Sequence, residues 1–180
     1  MRRLMLLRHA KTENEAPSGR DQDRRLDDRG RSDAAEVGRF IARHPPLPDA
    51  VLVSSAVRAH QTWEIVGEAI RDAGPEPRVE LLPELYGADP AQLLQTIRNA
   101  SVTDPRALLV VGHNPGMHKL GLMLAAGGDE AGHKALSENL PTSGQAVFDF
   151  AIDCWDDVAF RRGRLMLFVS PKLLKQTLDE

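Results

Sequence analysis

The stretch "RRLMLLRHAKTENE" (2–15) carries four apolar residues, Leu4 to Leu7, into Arg8-His9 and then turns polar at once. The apolar run is too short for a signal-peptide core and reads as a buried strand. Arg8 and His9 then stand at its carboxyl end. Working outward, "AVLVSS" (50–55), "RVELL" (78–82), "RALLVVGHN" (106–114) and "GRLMLFVSP" (163–171) read as further strands. The alternating "GQAVFDFAI" (144–152) predicts an exposed or edge strand.

Amphipathic segments separate these runs. "RGRSDAAEVGRFIARH" (29–44) sets Ala34, Val37, Phe40 and Ile41 at helical spacing, and "PPLP" (45–48) stops it. A second helix is expected over 57–74 with Gly74 as its stop. A third, over 89–100, has Asp89 as N-cap and Pro90 in its first turn. Pro115 opens a fourth that runs through Ala126, and a polar turn or helix follows the last strand. Strands alternating with helices predict an α/β fold, a mostly parallel sheet with helices on both faces. The close pair within 144–169 makes part of that sheet antiparallel.

Composition narrows the function classes. The 180 residues suit a single domain, 1–180, able to bury a core. A formal net charge of −3 gives no global field for nucleic acid or anionic membrane. No apolar run reaches membrane-span length. Cys154 is the only cysteine, so no intrachain disulfide exists and a reducing, cytoplasmic setting is expected. The six histidines form no HxH or HxxxH pair, so no metal site is expected.

In open α/β sheets ligands gather beyond the carboxyl ends of the strands. Three such ends carry unusual residues. The first has Arg8-His9, the second Ser54-Ser55 with Arg58 in the following turn, and the "LLVV" strand ends in Gly112-His113-Asn114-Pro115. If the strands are parallel neighbours, two arginines and two histidines converge. That cluster suits a compact, multiply charged anion, because guanidinium forks match phosphate oxygens. A neutral imidazole among them could bind the anion or attack it. His44, His60, His118 and His133 read as ordinary helix or loop positions.

These segments resemble the histidine phosphatase superfamily. "LRHAKT" (7–12) is similar to its Arg-His-Gly/Ala signature, "SSAVRAHQT" (54–62) to its Ser-x-x-x-Arg-Ala-x-Gln-Thr segment, and "VGHNPG" (111–116) to its second-histidine segment. "DRRLDDRG" (23–30) resembles the Asp-x-Arg-Pro-Leu-x-x-x-Gly stretch of the small SixA-type phosphohistidine phosphatases, with Arg25 where proline is usual. The short span between "LLPELY" and "RALLVV" leaves little material for a lid.

The resemblance implies a three-layer, phosphoglycerate mutase-like α/β fold and a metal-independent phosphatase needing no cofactor. It implies His9 as nucleophile, Arg8, Arg58 and His113 as phosphoryl ligands, Arg24 as a further phosphate contact, and Glu84 of "PELYG" as candidate general acid. The expected partner is a phosphorylated protein, such as a phosphotransfer domain carrying phosphohistidine, or a small phosphorylated metabolite. A small-molecule phosphatase or mutase, and a non-catalytic phosphate-binding module, are the alternatives.

Overall fold

The computed structural model describes residues 1–178. In chain order the elements are β1 (Arg2–Arg8), α1 (Asp28–Arg43), β2 (Ala50–Ser54), α2 (Val57–Ile70), β3 (Arg78–Leu82), α3 (Pro90–Arg98), β4 (Ala107–Gly112), α4 (Gly116–Leu124), β5 (Ala125–Gly128), α5 (Glu130–Glu138), β6 (Gln145–Phe150), β7 (Gly163–Val169) and α6 (Pro171–Leu178). The strands form one seven-stranded sheet in the order β3-β2-β4-β1-β6-β7-β5. Only β6 runs against the rest, antiparallel to β1 and β7.

Successive strand residues point to opposite faces, and the two apolar layers follow from that period. Leu4, Leu6, Leu52, Leu108, Val110 and Phe148 pack against α3, α4 and α5. Met5, Leu7, Val51, Val53, Leu109 and Val111 pack against α1 and α2. The result is three layers with helices on both faces, as the sequence predicts. Asp89 caps α3, its carboxylate accepting the Gln92 N–H at 2.8 Å while Gln92 Oε1 accepts the Asp89 N–H at 2.9 Å.

Some local expectations are corrected. The strand at 144–152 is not an edge: β6 lies between β1 and β7 and is almost wholly buried. Its charged position, Asp149, is paired inside the sheet. Asp149 accepts two bonds from Arg3 on the neighbouring strand, at 2.7 and 2.9 Å. The edges are β3 and β5 instead. The fourth helix stops at Leu124, and β5 and α5 follow, neither of them expected. β5 is "AAGG", with Gly127 and Gly128 at positive φ, so it lacks the β-branched residues that announce a strand. Helix α2 ends at Ile70, four residues before Gly74.

Two glycines let helices approach the functional end of the sheet. A Cβ on Gly30 would lie 2.0 Å from the Lys11 carbonyl oxygen, and one on Gly116 2.1 Å from the Ala88 carbonyl oxygen. Both obstacles are backbone, so a side chain requires the main chain to move. Gly30→Ala is expected to destabilise the fold by about 1–3 kcal/mol, as over-packing does; a lowered urea midpoint at unchanged slope checks it.

Candidate active site

Strand register sets the site. β1 pairs with β4 in parallel (Leu7 with Val111, Arg8 with Gly112), and β4 with β2 (Val111 with Val53). The three carboxyl ends are therefore level, and the residues just beyond them meet. His9 N–H continues the ladder to the Gly112 carbonyl at 3.1 Å. The His9 and His113 rings lie 5.2 Å apart, centre to centre.

Each side chain is held by identifiable neighbours. His9, only 7% exposed, donates its Nδ1–H to the Ala10 carbonyl at 2.8 Å. A carbonyl only accepts, so the proton sits on Nδ1 and the Nε2 of the neutral ring carries a free lone pair. Ala10 N–H donates to Thr62 Oγ1 (2.9 Å), whose hydroxyl donates to the Arg58 carbonyl (2.7 Å). Thr62 thus ties the His9 loop to the first turn of α2. Gln61 ties in Leu26 by accepting its N–H at 2.9 Å. His113 Nε2 is bonded to Ser54 Oγ at 2.7 Å.

Arg58 is 5% exposed and donates Nη1–H to the Asp21 carbonyl oxygen (2.7 Å) and Nη2–H to Asp21 Oδ2 (2.9 Å). Arg8 donates Nη1–H to the Leu140 carbonyl at 3.3 Å. That leaves Arg8 Nε, Arg58 Nε and His113 Nδ1 buried with no partner in the protein. Buried polar atoms are normally paired, and each left alone costs about 1–3 kcal/mol. Three such nitrogens therefore stand unpartnered beyond the carboxyl ends of β1, β2 and β4.

Of the expected residues, His9, Arg8, Arg58 and His113 are brought together. Arg24 is joined through Asp21: its Nε donates to Asp21 Oδ1 (3.0 Å) and its Nη1 to Thr12 Oγ1 (3.0 Å). Glu84 is exposed and lines a cavity of about 280 Å³ with Arg78, Glu80, Thr96 and Asn99, a set that contains none of the clustered residues. The other histidines bond elsewhere: His44 to the Phe40 carbonyl, His118 to that of Leu136, His133 to that of Gly127 and His60 to Glu64. Among the described residues no group of three or more His, Cys, Asp or Glu could hold a metal ion.

Three further residues enter that sequence reading passed over. Asp21 sits on a 3-10 turn (Asp21–Asp23) and Tyr86 just after another (Pro83–Leu85). Tyr86 donates its hydroxyl to Asp21 Oδ2 at 2.6 Å and sets its ring edge-on to His113 at 5.4 Å. Ser143, at φ 57°, donates its N–H to the Arg8 and His9 carbonyls (3.1 and 3.2 Å), and its buried hydroxyl has no partner. An acidic residue near three arginines, the single tyrosine and a Thr-Ser-Gly turn were the available signals.

Burial, above all, pushes the His9 ring down to about 3 and the His113 ring to about 4, with Arg58 and Arg8 adding repulsion. Burial and nearby Arg58 lower Arg8 as well. The Tyr86 hydroxyl, then Arg58 and Arg24, hold the Asp21 carboxyl well below the usual carboxylate range. The histidine signs run one way: in the unfolded chain both rings take up protons near pH 6.5, in the folded chain only near 3 to 4. The fold is therefore favoured most above pH 6.5 and loses stability as pH falls from there towards 4. Heteronuclear NMR of the ring nitrogens should show both neutral from pH 8 to 5; a midpoint near 6.5 for either would contradict this picture.

Residues 4–89 match the Histidine phosphatase superfamily (branch 1). An uncharacterised protein of Mycobacterium tuberculosis, Rv1276c, is 37% identical over 155 residues, covering 84% of this chain and 91% of that protein. A solved structure from Agrobacterium tumefaciens, named for the phosphohistidine phosphatase SixA, is 32% identical with a TM-score of 0.73, covering 94% of this chain and 99% of the other. Another named for SixA, from Nakamurella multipartitia, is 28% identical with a TM-score of 0.80, covering 94% and 96%. Over nearly its whole length, then, and with the paired histidines and arginines gathered at level strand ends, the chain belongs to the histidine phosphatase superfamily and resembles SixA within it.

Proposed function

We propose that the protein is a metal-independent phosphatase that works through a phosphohistidine on His9 and removes phosphate from phosphohistidine in a cytoplasmic protein such as a phosphotransfer domain. The observation that carries this reading is the lone pair of His9 Nε2 beside three buried, unpartnered nitrogens. A phosphoryl group with its oxygens on Arg8, Arg58 and His113 would present phosphorus to that lone pair. Positioning and charge stabilisation are most of what phosphoryl transfer asks of a protein.

Two displacements complete the course. Nε2 forms a bond to phosphorus as the bond to the substrate nitrogen breaks, and the electron pair leaves with that nitrogen. The Ala10 carbonyl keeps the His9 proton on Nδ1, so the phosphorylated ring is a cation and a good leaving group. Water then attacks phosphorus, the electron pair returns to Nε2, and the water proton passes to the released phosphate.

The carboxylate in contact with the cluster supports a phosphohistidine substrate. Asp21 is held ionised by its donors, so it has no proton for a leaving alkoxide. A substrate imidazole whose second nitrogen carries a proton departs as neutral imidazole and needs no such help. The recessed rings, 7% and 9% exposed, favour a phosphoryl group carried at the end of a side chain.

His9→Ala should fold normally and lose turnover to background, with circular dichroism and phosphate release as the measurements. Wild type should cleave phosphoramidate and phosphohistidine protein faster than alkyl phosphates by about 10²–10⁴-fold, the span general-acid catalysis contributes where it is present. A strong preference for a sugar or glycerate phosphate rules the reading out. Selective loss of ester cleavage in Glu84→Gln would favour the small-molecule alternative.

A further inference from the structure

The main chain and carboxylate of Asp21 grip Arg58 at one edge only. A guanidinium has an end edge, formed by Nη1 and Nη2, and a side edge, formed by Nε and Nη2, each able to make two parallel bonds to an oxyanion. Asp21 takes the end edge, through its carbonyl oxygen on Nη1 (2.7 Å) and Oδ2 on Nη2 (2.9 Å). The side edge stays free, and its Nε is the buried atom with no partner. Arg8 is arranged alike: the Leu140 carbonyl holds Nη1 and leaves Nε unpartnered.

Asp21 is itself fixed. Arg24 holds Oδ1 at 3.0 Å, and Tyr86 holds Oδ2 at 2.6 Å. The Tyr86 and His113 rings form a T-shaped pair at 5.4 Å, and the Arg58 guanidinium carbon lies 5.8 Å from the Tyr86 ring centre. Two loops, one before α1 and one before α3, are thereby joined across the arginine. The Asp21 side chain is 51% exposed while that of Arg58 is 6% exposed, so the counter-charge lies at the rim and the cation below it.

We propose that Asp21 is the positioning residue of the phosphoryl site: it locks the end edge of Arg58 so that the side edge faces the anion, and Tyr86 and Arg24 hold it in that setting. The inference rests on the phosphatase reading of the cluster. It differs from two other uses of an acidic residue here. A competitor for Arg58 would be displaced by phosphate, and a merely structural residue would act through stability.

The experiment measures dissociation constants for inorganic phosphate by calorimetry, with KM and kcat for phosphoramidate, in wild type, Asp21→Ala, Asp21→Asn, Asp21→Glu and Tyr86→Phe. Asp21→Ala should weaken phosphate binding about tenfold or more, the scale of one lost charge-assisted bond, and raise KM more than it lowers kcat. Asp21→Asn, which keeps the main-chain bond and one acceptor oxygen, should fall between Ala and wild type. Asp21→Glu should recover part of the loss, and Tyr86→Phe should show a smaller loss in the same direction. Thermal midpoints should stay near wild type. Tighter phosphate binding in Asp21→Ala would make Asp21 a competitor and overturn the proposal, as would unchanged binding and KM, or losses that follow the thermal midpoint. If wild type itself binds no phosphate, the phosphatase reading fails and takes this inference with it; wild-type binding with an indifferent Asp21 sinks the inference alone.

Discussion

Two guanidinium groups recessed at neighbouring strand ends, each with a buried Nε that has no partner, are the constraint around which this end of the molecule is built. Arg58 is almost wholly covered; burial first, and then the Arg58 charge, disfavours the charge on Arg8. Arg58 is gripped by the 21–23 turn, and Arg8 by the Leu140 carbonyl. Two connections supply these partners, the loop before α1 and the segment between α5 and β6, and the turn before α3 adds Tyr86 on Asp21. The sheet's own contribution is level register, since a one-residue slip of β4 would move His113 relative to His9.

The same recess decides the state of the imidazoles. Burial is the largest influence on both rings and the arginines add to it, so the free pair on His9 Nε2 persists well into acid. A nucleophile on an exposed loop would be partly protonated near pH 6.5. The cost is borne by stability at low pH, where the unfolded chain takes up protons that the folded rings refuse. The neutral state of the rings and the acid sensitivity of the fold come from one cause.

How much of this was legible in the sequence follows from the range of the signals. Buried parallel strands such as "LLVV" are continuous apolar runs, and the polar residues that end them stand out, so the fold class and the meeting of Arg8, His9, Arg58 and His113 could be read. β6 was misplaced because Asp149 looks like a solvent-facing residue until its cross-strand partner Arg3 is known. β5 was invisible because glycine and alanine carry no periodic pattern. Asp21 and Tyr86 were missed for a different reason. They lie 65 positions apart in irregular segments, and their bond exists only once the sheet has set two loops side by side.

Asp21 also limits the chemistry. A carboxylate that accepts from Arg58, Arg24 and Tyr86 is stabilised as an anion three times over, and each donor that fixes it makes protonation harder. Gripping an arginine and protonating a leaving group are therefore exclusive uses of that residue. On the proposed phosphatase reading, the carboxylate touching the cluster is committed to the first use, and the substrate or another group must supply the second. A protonated phosphoimidazole brings its own proton to the site, whereas an alkyl ester does not. On the proposed reading, a preference for a substrate with a nitrogen leaving group would share one origin with the fixing of Arg58, the three donors around Asp21.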